Sequence, residues 1–187
     1  MDVKLLITDF DGTLVDTFEA NFLAYKAAFD ECGLSLSRDE YKSCFGLRFD
    51  NFMHAMGIES PEISHRIKEL KGNLYLRYFN HLKVNTPLIE FIRAFHRSGG
   101  KTAIASTARE KNLRNALKYI GAENDFDLIL AGESVSKGKP HPEIYLTVLE
   151  CLNCRPEEAL VFEDSEVGFK AAEGAGIRVI KVTKDFF

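Results

Sequence analysis

Five short apolar runs, none alternating with polar residues, constrain this chain more than any other feature. They are Val3–Ile7, Thr102–Ala105, Leu128–Ala131, Ala159–Phe162 and Ile177–Val182. A strand with one wet face alternates apolar and polar residues, so largely apolar runs of this length without alternation suit strands buried on both faces of a parallel sheet. The segments between them carry helical spacing. Leu88, Phe91, Ile92 and Phe95 fall at i, i+3, i+4, i+7, and so do Leu113, Ala116, Leu117 and Ile120. Gly99-Gly100 and Gly121 stand where those helices should stop. From residue 84 onward the alternation predicts an α/β fold with a doubly wound parallel sheet. Crossovers in such sheets are right-handed, and ligands collect beyond the carboxyl ends of the strands.

Residues 16–83 break the alternation. Phe22, Tyr25, Phe29 and Cys32 form one apolar stripe. Ser60-Pro61 reads as an N-cap followed by proline at the first helical position, and Ile63, Ile67, Leu70 and Leu74 form a second stripe. Nothing in the stretch reads as a strand. The expectation is an all-helical insertion over 16–83 in a core domain made of 1–15 and 84–187, with the aromatic stripes as bundle core.

Composition narrows the function classes. At 187 residues and 45% hydrophobic, the chain can build one sizeable core with room for a modest insertion. A net charge of −4 and a pI near 5.8 argue against nucleic acid or an anionic membrane as partner. The opening MDVKLLITDFDG is too short in its apolar part for a signal peptide, and no later stretch reaches the length of a membrane span. The reading is cytoplasmic. Cys151 and Cys154 have the spacing of half a zinc site, but Cys32 and Cys44 lie far upstream without that spacing. Reduced thiols are the expectation for all four.

The unusual residues sit at strand ends. Asp9 and Asp11 follow the first run, in Asp9-Phe10-Asp11-Gly12-Thr13-Leu14. Two carboxylates two residues apart lose water at high cost unless a cation joins them, and Mg2+ takes oxygen ligands of this kind. Solvated acids beside a Gly turn are the alternative. After the second run, Ser106 and Thr107 offer hydroxyls and neighbouring backbone N–H groups for phosphate oxygens, although either could simply cap the next helix. Lys139 precedes Pro140, which fixes the backbone and starts a helix, so its ammonium is placed; Lys137 reads as a surface loop lysine. His141 reads as a helix-start residue. Glu163 and Asp164 follow the fourth run. Acid-x-acid, hydroxyl, lysine and acid-acid, in order at four ends of one sheet, are hard to explain by packing.

Those motifs, with the phrases Lys139-Pro140-His141-Pro142-Glu143-Ile144-Tyr145 and Val161-Phe162-Glu163-Asp164-Ser165, resemble the haloacid dehalogenase-like hydrolase superfamily. The likeness spans essentially the whole chain and points to the helical-cap branch of phosphoglycolate phosphatase and β-phosphoglucomutase. It implies a magnesium-dependent phosphatase that forms an aspartyl-phosphate. Asp9 would attack phosphorus and bind Mg2+. Asp11 would protonate the leaving alcohol and then activate water, with its backbone carbonyl on the metal. Ser106 and Lys139 would hold the phosphoryl group, and Glu163 and Asp164 would complete the metal site. The substrate would be a small phosphorylated metabolite, chosen by a cap that closes over the site. Thr17, Asn21 and Arg48 are the cap candidates.

Asp11 argues against dehalogenase and phosphonatase chemistry, whose enzymes generally lack it. Mutases of the branch carry a histidine in the first cap helix where this chain has Asn21, and an arginine near the place of Arg48. Phosphoryl transfer between sugar positions is therefore the second reading. A catalytically silent module on the same fold is the third, and it would have lost Asp9, Asp11 or Lys139. The sequence fixes no oligomeric state.

Overall fold

The computed structural model describes residues 2–187, so Met1, the first residue of the expected 1–15 segment, lies outside it. In chain order the elements are β1 (Leu5–Thr8), β2 (Val15–Asp16), α1 (Phe18–Glu31), α2 (Arg38–Cys44), α3 (Phe49–Ala55), α4 (Pro61–Leu74), β3 (Lys83–Val84), α5 (Thr86–Arg97), β4 (Lys101–Ala105), α6 (Glu110–Tyr119), β5 (Leu128–Leu130), α7 (Glu143–Cys151), β6 (Ala159–Glu163), α8 (Glu166–Gly174) and β7 (Arg178–Lys181). A 3₁₀ segment covers Tyr75–His81. The chain divides into two compact units, one holding the chain up to Asp16 with Lys83–Phe187, the other Thr17–Leu82.

In the first unit, five parallel strands form a sheet in the order β5-β4-β1-β6-β7. Strand β1 is central, with Leu5–Thr8 in register with Lys101–Ile104 on one side and Ala159–Phe162 on the other. Its residues are buried on both faces, as the missing alternation requires. The order reverses at β1, so the topological switch point lies beyond Thr8. Leu5, Ile7, Val161, Ile144 and Val148 belong to one aliphatic core, and each such buried side chain contributes about 1.5–3 kcal/mol. Helices α5 and α6 end just short of Gly99-Gly100 and Gly121. The α5 face is rotated from the expected one: Leu88, Ile89 and Ile92 are buried, whereas Phe91 is half exposed and meets Phe162 edge-on at 6.0 Å.

The second unit contains no strand. Its core includes Phe22, Phe29, Phe52, Met53 and Ile67. Ser60 caps α4 by accepting from the Ile63 N–H at 3.4 Å, and Pro61 opens the helix, both as the sequence predicts. Ile63 itself points to solvent.

The boundaries hold a feature that the pattern missed. Val15 pairs with Val84 and Asp16 with Lys83 in an antiparallel two-stranded ribbon where the chain departs for the helical unit and returns. Two residues per strand are too few to produce a readable alternation, so periodicity carries no signal there.

Candidate active site

Every candidate from the core motifs lies at or beyond the carboxyl ends of the strands. Asp9 follows β1 and its N–H donates to the Phe162 carbonyl at 3.0 Å, extending the β1–β6 pairing by one step. Glu163 ends β6 and Asp164 comes next. Ser106 follows β4, with its N–H donating to the Leu130 carbonyl at 3.0 Å. Lys139 arrives from the loop between β5 and α7. The helix begins only at Glu143 rather than at Pro140, and His141 lies exposed just before it.

Lys139 is the hub. Its buried Nζ donates to Asp9 Oδ1 at 2.8 Å and to Glu163 Oε1 at 2.6 Å. The Tyr145 ring lies 5.1 Å beneath the ammonium. Glu163 Oε2 accepts from the N–H groups of Asp164 and Ser165 at 2.8 and 2.9 Å and from Ser165 Oγ at 3.0 Å. Both Glu163 oxygens are thus engaged by the chain's own donors, at the start of α8. Gly168 makes this possible, because a Cβ there would overlap the Glu163 carboxylate. Asp164 Oδ1 accepts from Thr13 Oγ1 at 3.0 Å. Gly12, at φ +89°, lies against the same carboxylate, where a side chain would collide.

Charge in this cluster does not balance internally. Burial pushes the Asp9 carboxyl well above the ordinary range; Lys139 opposes that, and Glu163 and Asp11 add to it. Burial acts to lower Lys139, but Asp9, with Tyr145 and Glu163, outweighs it and holds the ammonium firmly charged. Burial and then Glu163 raise Asp164 to about 6, against the Thr13 hydrogen bond. One ammonium therefore faces an excess of carboxylates.

Asp9, Glu163 and Asp164 each offer a carboxylate oxygen, and these three atoms lie within 4.8 Å of one another. An all-oxygen donor set with surplus negative charge fits a hard divalent cation. Asp11 is half-buried beside this set and its charge acts on both Asp9 and Asp164, but its carboxylate is not one of the three that converge.

Ser106 is fully buried and its Oγ accepts from the Ala108 N–H at 3.0 Å. Thr107 is exposed next to it. Neither caps α6, whose N-cap is Arg109, so the capping alternative fails for both. In the helical unit, Thr17 and Asn21 are buried on α1, with Thr17 at its N-cap. Arg48 is exposed at the N-cap of α3, two residues after Gly46. The four cysteines are free thiols. No helix among the described residues is long and apolar enough to cross a membrane.

Motif spacing did not reveal Thr13, Tyr145, Ser165 and Gly168 as parts of the site. Gly168 could have been found, since a glycine in the first turn of a helix just after an acidic pair has little local reason to be there.

The family described as haloacid dehalogenase-like hydrolase matches residues 6–182. The chain belongs to that family. It is 32% identical over 182 residues to the phosphorylated carbohydrates phosphatase of Thermotoga maritima, covering 95% of this chain and 84% of that protein. It is 26% identical to the β-phosphoglucomutase of Bacillus subtilis, covering 96% and 83%. Among solved structures, a point mutant of CbbY from Rhodobacter sphaeroides in complex with xylulose-(1,5)bisphosphate superposes with a TM-score of 0.88 at 26% identity, over 98% of this chain and 88% of that one. The fold is the family's parallel α/β core with an inserted helical cap.

Proposed function

We propose that this chain hydrolyses a small phosphorylated metabolite, of phosphoglycolate or sugar-phosphate type, by a Mg2+-dependent route through an aspartyl-phosphate on Asp9. Hydrolysis of a phosphoric monoester follows from the family together with its phosphatase-named relatives. The observation that carries the finer reading is the buried ammonium of Lys139 between Asp9 and Glu163, beside three converging carboxylates at the switch point of the sheet.

In this reading Asp9, Glu163 and Asp164, with the Asp11 backbone carbonyl, hold the cation. When bound, it supplies charge that offsets repulsion between Asp9 and the phosphoryl oxygens. Asp9 attacks phosphorus as the bond to the leaving alcohol breaks, and Asp11 gives that oxygen a proton. Asp11 then takes a proton from water, whose oxygen attacks the same phosphorus and releases Asp9 and inorganic phosphate. Lys139, Ser106 and Thr107 bind the phosphoryl oxygens during both steps. Residues 1–15 and 84–187 form the catalytic core, and 16–83 form the cap, with Thr17, Asn21 and Arg48 choosing the substrate. Free thiols agree with a cytoplasmic setting.

A mutase must hold its aspartyl-phosphate away from water until a sugar hydroxyl arrives. Asn21 exchanges hydrogen bonds but does not titrate near neutrality, so it provides no proton-linked control. A screen of phosphorylated metabolites for phosphate release, with Asp9→Asn alongside, tests the proposal. Wild type should release stoichiometric phosphate, and Asp9→Asn should retain the fold and lose turnover. A variant that keeps a tenth of wild-type kcat rules out the covalent route. Fast conversion of β-glucose 1-phosphate to glucose 6-phosphate without matching phosphate release favours the mutase.

A further inference from the structure

Asn85 stands at the first position after β3, where the chain re-enters the α/β unit, and it is almost fully buried. Its side chain is used at both ends. The Oδ1 atom accepts from the Leu88 N–H at 3.1 Å and caps α5. The Nδ2 atom donates to the Thr13 carbonyl at 3.2 Å, and the Asn85 backbone N–H donates to the Leu14 carbonyl at 2.9 Å. A helix cap explains the first contact only. The other two grip the turn that follows Asp9 and Asp11, and Thr13 in that turn donates its hydroxyl to Asp164.

We infer that Asn85 is a positioning residue for the cation site, acting through Thr13 on the carboxylate of Asp164. The inference rests on the cation site proposed above. Thr13 is fully buried and Gly12 packs flat against Asp164, so a shift of the Thr13 carbonyl reaches the carboxylate directly. Removing the Nδ2 donor leaves a buried carbonyl short of a partner and lets the turn relax toward other donors. Residues one hydrogen bond behind a metal ligand set its orientation, and their loss typically weakens binding about 10–100-fold.

Asn85→Ser separates the two roles, because serine is an equally good N-cap but cannot reach Thr13. Asn85→Asp keeps a cap acceptor of the native length but sets an oxygen against the Thr13 carbonyl in place of the donor, a second and independent way to break that contact. The probe is Mn2+, counted as free ion by paramagnetic resonance, with Mg2+ in competition. Wild type should bind one ion. Asn85→Ser and Asn85→Asp should still melt cooperatively, within about 10 °C of wild type, yet bind Mn2+ at least about threefold more weakly. Thr13→Val should lose about tenfold, and adding Asn85→Ser to it should cost little more, since both act on one chain of contacts. Unchanged Mn2+ affinity in both Asn85 variants reduces Asn85 to a helix cap and overturns the inference alone. Full additivity in the double variant also overturns it. Failure of wild type to bind any divalent ion sinks the cation site itself, and the inference with it.

Discussion

The two units of the molecule are held by different physics. In the α/β unit, aliphatic strands carry the stability and a small set of buried polar groups carries the geometry, with the Glu163 carboxylate oxygens and Lys139 Nζ held by partners at 2.6–3.0 Å. In the helical unit the core is a cluster of rings: Tyr25 meets Phe52 at 5.0 Å, Phe18 meets Phe45 at 5.1 Å, and Tyr41 meets Phe52 at 5.7 Å. Ring pairs favour a range of tilts and add about 0.5–1.5 kcal/mol each beyond burial. They stabilise without fixing a side chain to a fraction of an ångström, whereas hydrogen bonds to charged groups do fix one. A unit held by directed hydrogen bonds and a unit held by ring packing should therefore answer substitution differently.

Paired substitutions break or sharpen that contrast. Gly168→Ala places a methyl where the Glu163 carboxylate lies, so Glu163 must move and Lys139 loses a partner. Misplacement on this scale can cost about 10²-fold in kcat, with the protein still folded. Phe52→Ala removes a ring at 3% exposure from the helical cluster and should cost about 3–5 kcal/mol of stability. Below its melting transition it should turn over a small aryl phosphate within threefold of wild type. Kinetics and thermal melts on both variants decide the matter. The contrast fails if Gly168→Ala acts mainly on melting, or if folded Phe52→Ala loses turnover.

Acidity tests the α/β unit next. Asp164 is raised to about 6 in the folded chain from an ordinary value near 3.8. Its proton therefore favours the folded, cation-free state at low pH, and that contribution is lost as pH rises through about 6. A bound cation has the opposite preference and competes with the same proton. Mg2+ affinity should therefore fall as pH drops through about 6, and the raised Asp9 carboxyl adds to that loss. Calorimetric titrations from pH 5 to 8 measure this, and Asp164→Asn should reduce the slope near pH 6 while weakening binding throughout. A wild-type profile without slope places the coordinating charge elsewhere.

The same contrast governs what could be read from the amino acids alone. Strands in a covered parallel sheet write themselves as short, largely apolar runs without alternation, so β1, β4, β5, β6 and β7 were all visible, although the edge strand β7 is mostly exposed, and with them the strand ends that hold Asp9, Ser106, Glu163 and Asp164. The β2–β3 ribbon was not, because two-residue strands have no period. Phe91 was misplaced because a residue at i+3 of an apolar stripe can sit at its wet edge, and Ile89 took its place inside. Thr13, Asn85 and Gly168 act through contacts between residues far apart in the chain, Thr13 to Asp164 and Asn85 to Thr13 among them. No local pattern encodes such contacts; only the folded register shows them.

Arg48 gives the smallest effect and the sharpest test of recognition in the helical unit. It follows Gly46, at φ +90°, in the link between α2 and α3, and it is exposed with no shared ion pair among the described residues. An exposed arginine that serves no purpose contributes about 0–1 kcal/mol to anything measurable. A planar guanidinium that grips a carboxylate or a second phosphate does more, because two parallel hydrogen bonds form to one anion. Arg48→Ala should therefore lower kcat/KM for the best anionic metabolite at least about tenfold, roughly 1.4 kcal/mol. A small aryl phosphate has no second anion to grip, so its kcat/KM should stay within twofold. Arg48→Lys keeps the charge but loses the fork, and should recover only part of the loss. Equal losses on both substrates would mean that Arg48 supports the structure rather than reads the ligand. No loss on either would leave recognition to the buried polar residues Thr17 and Asn21.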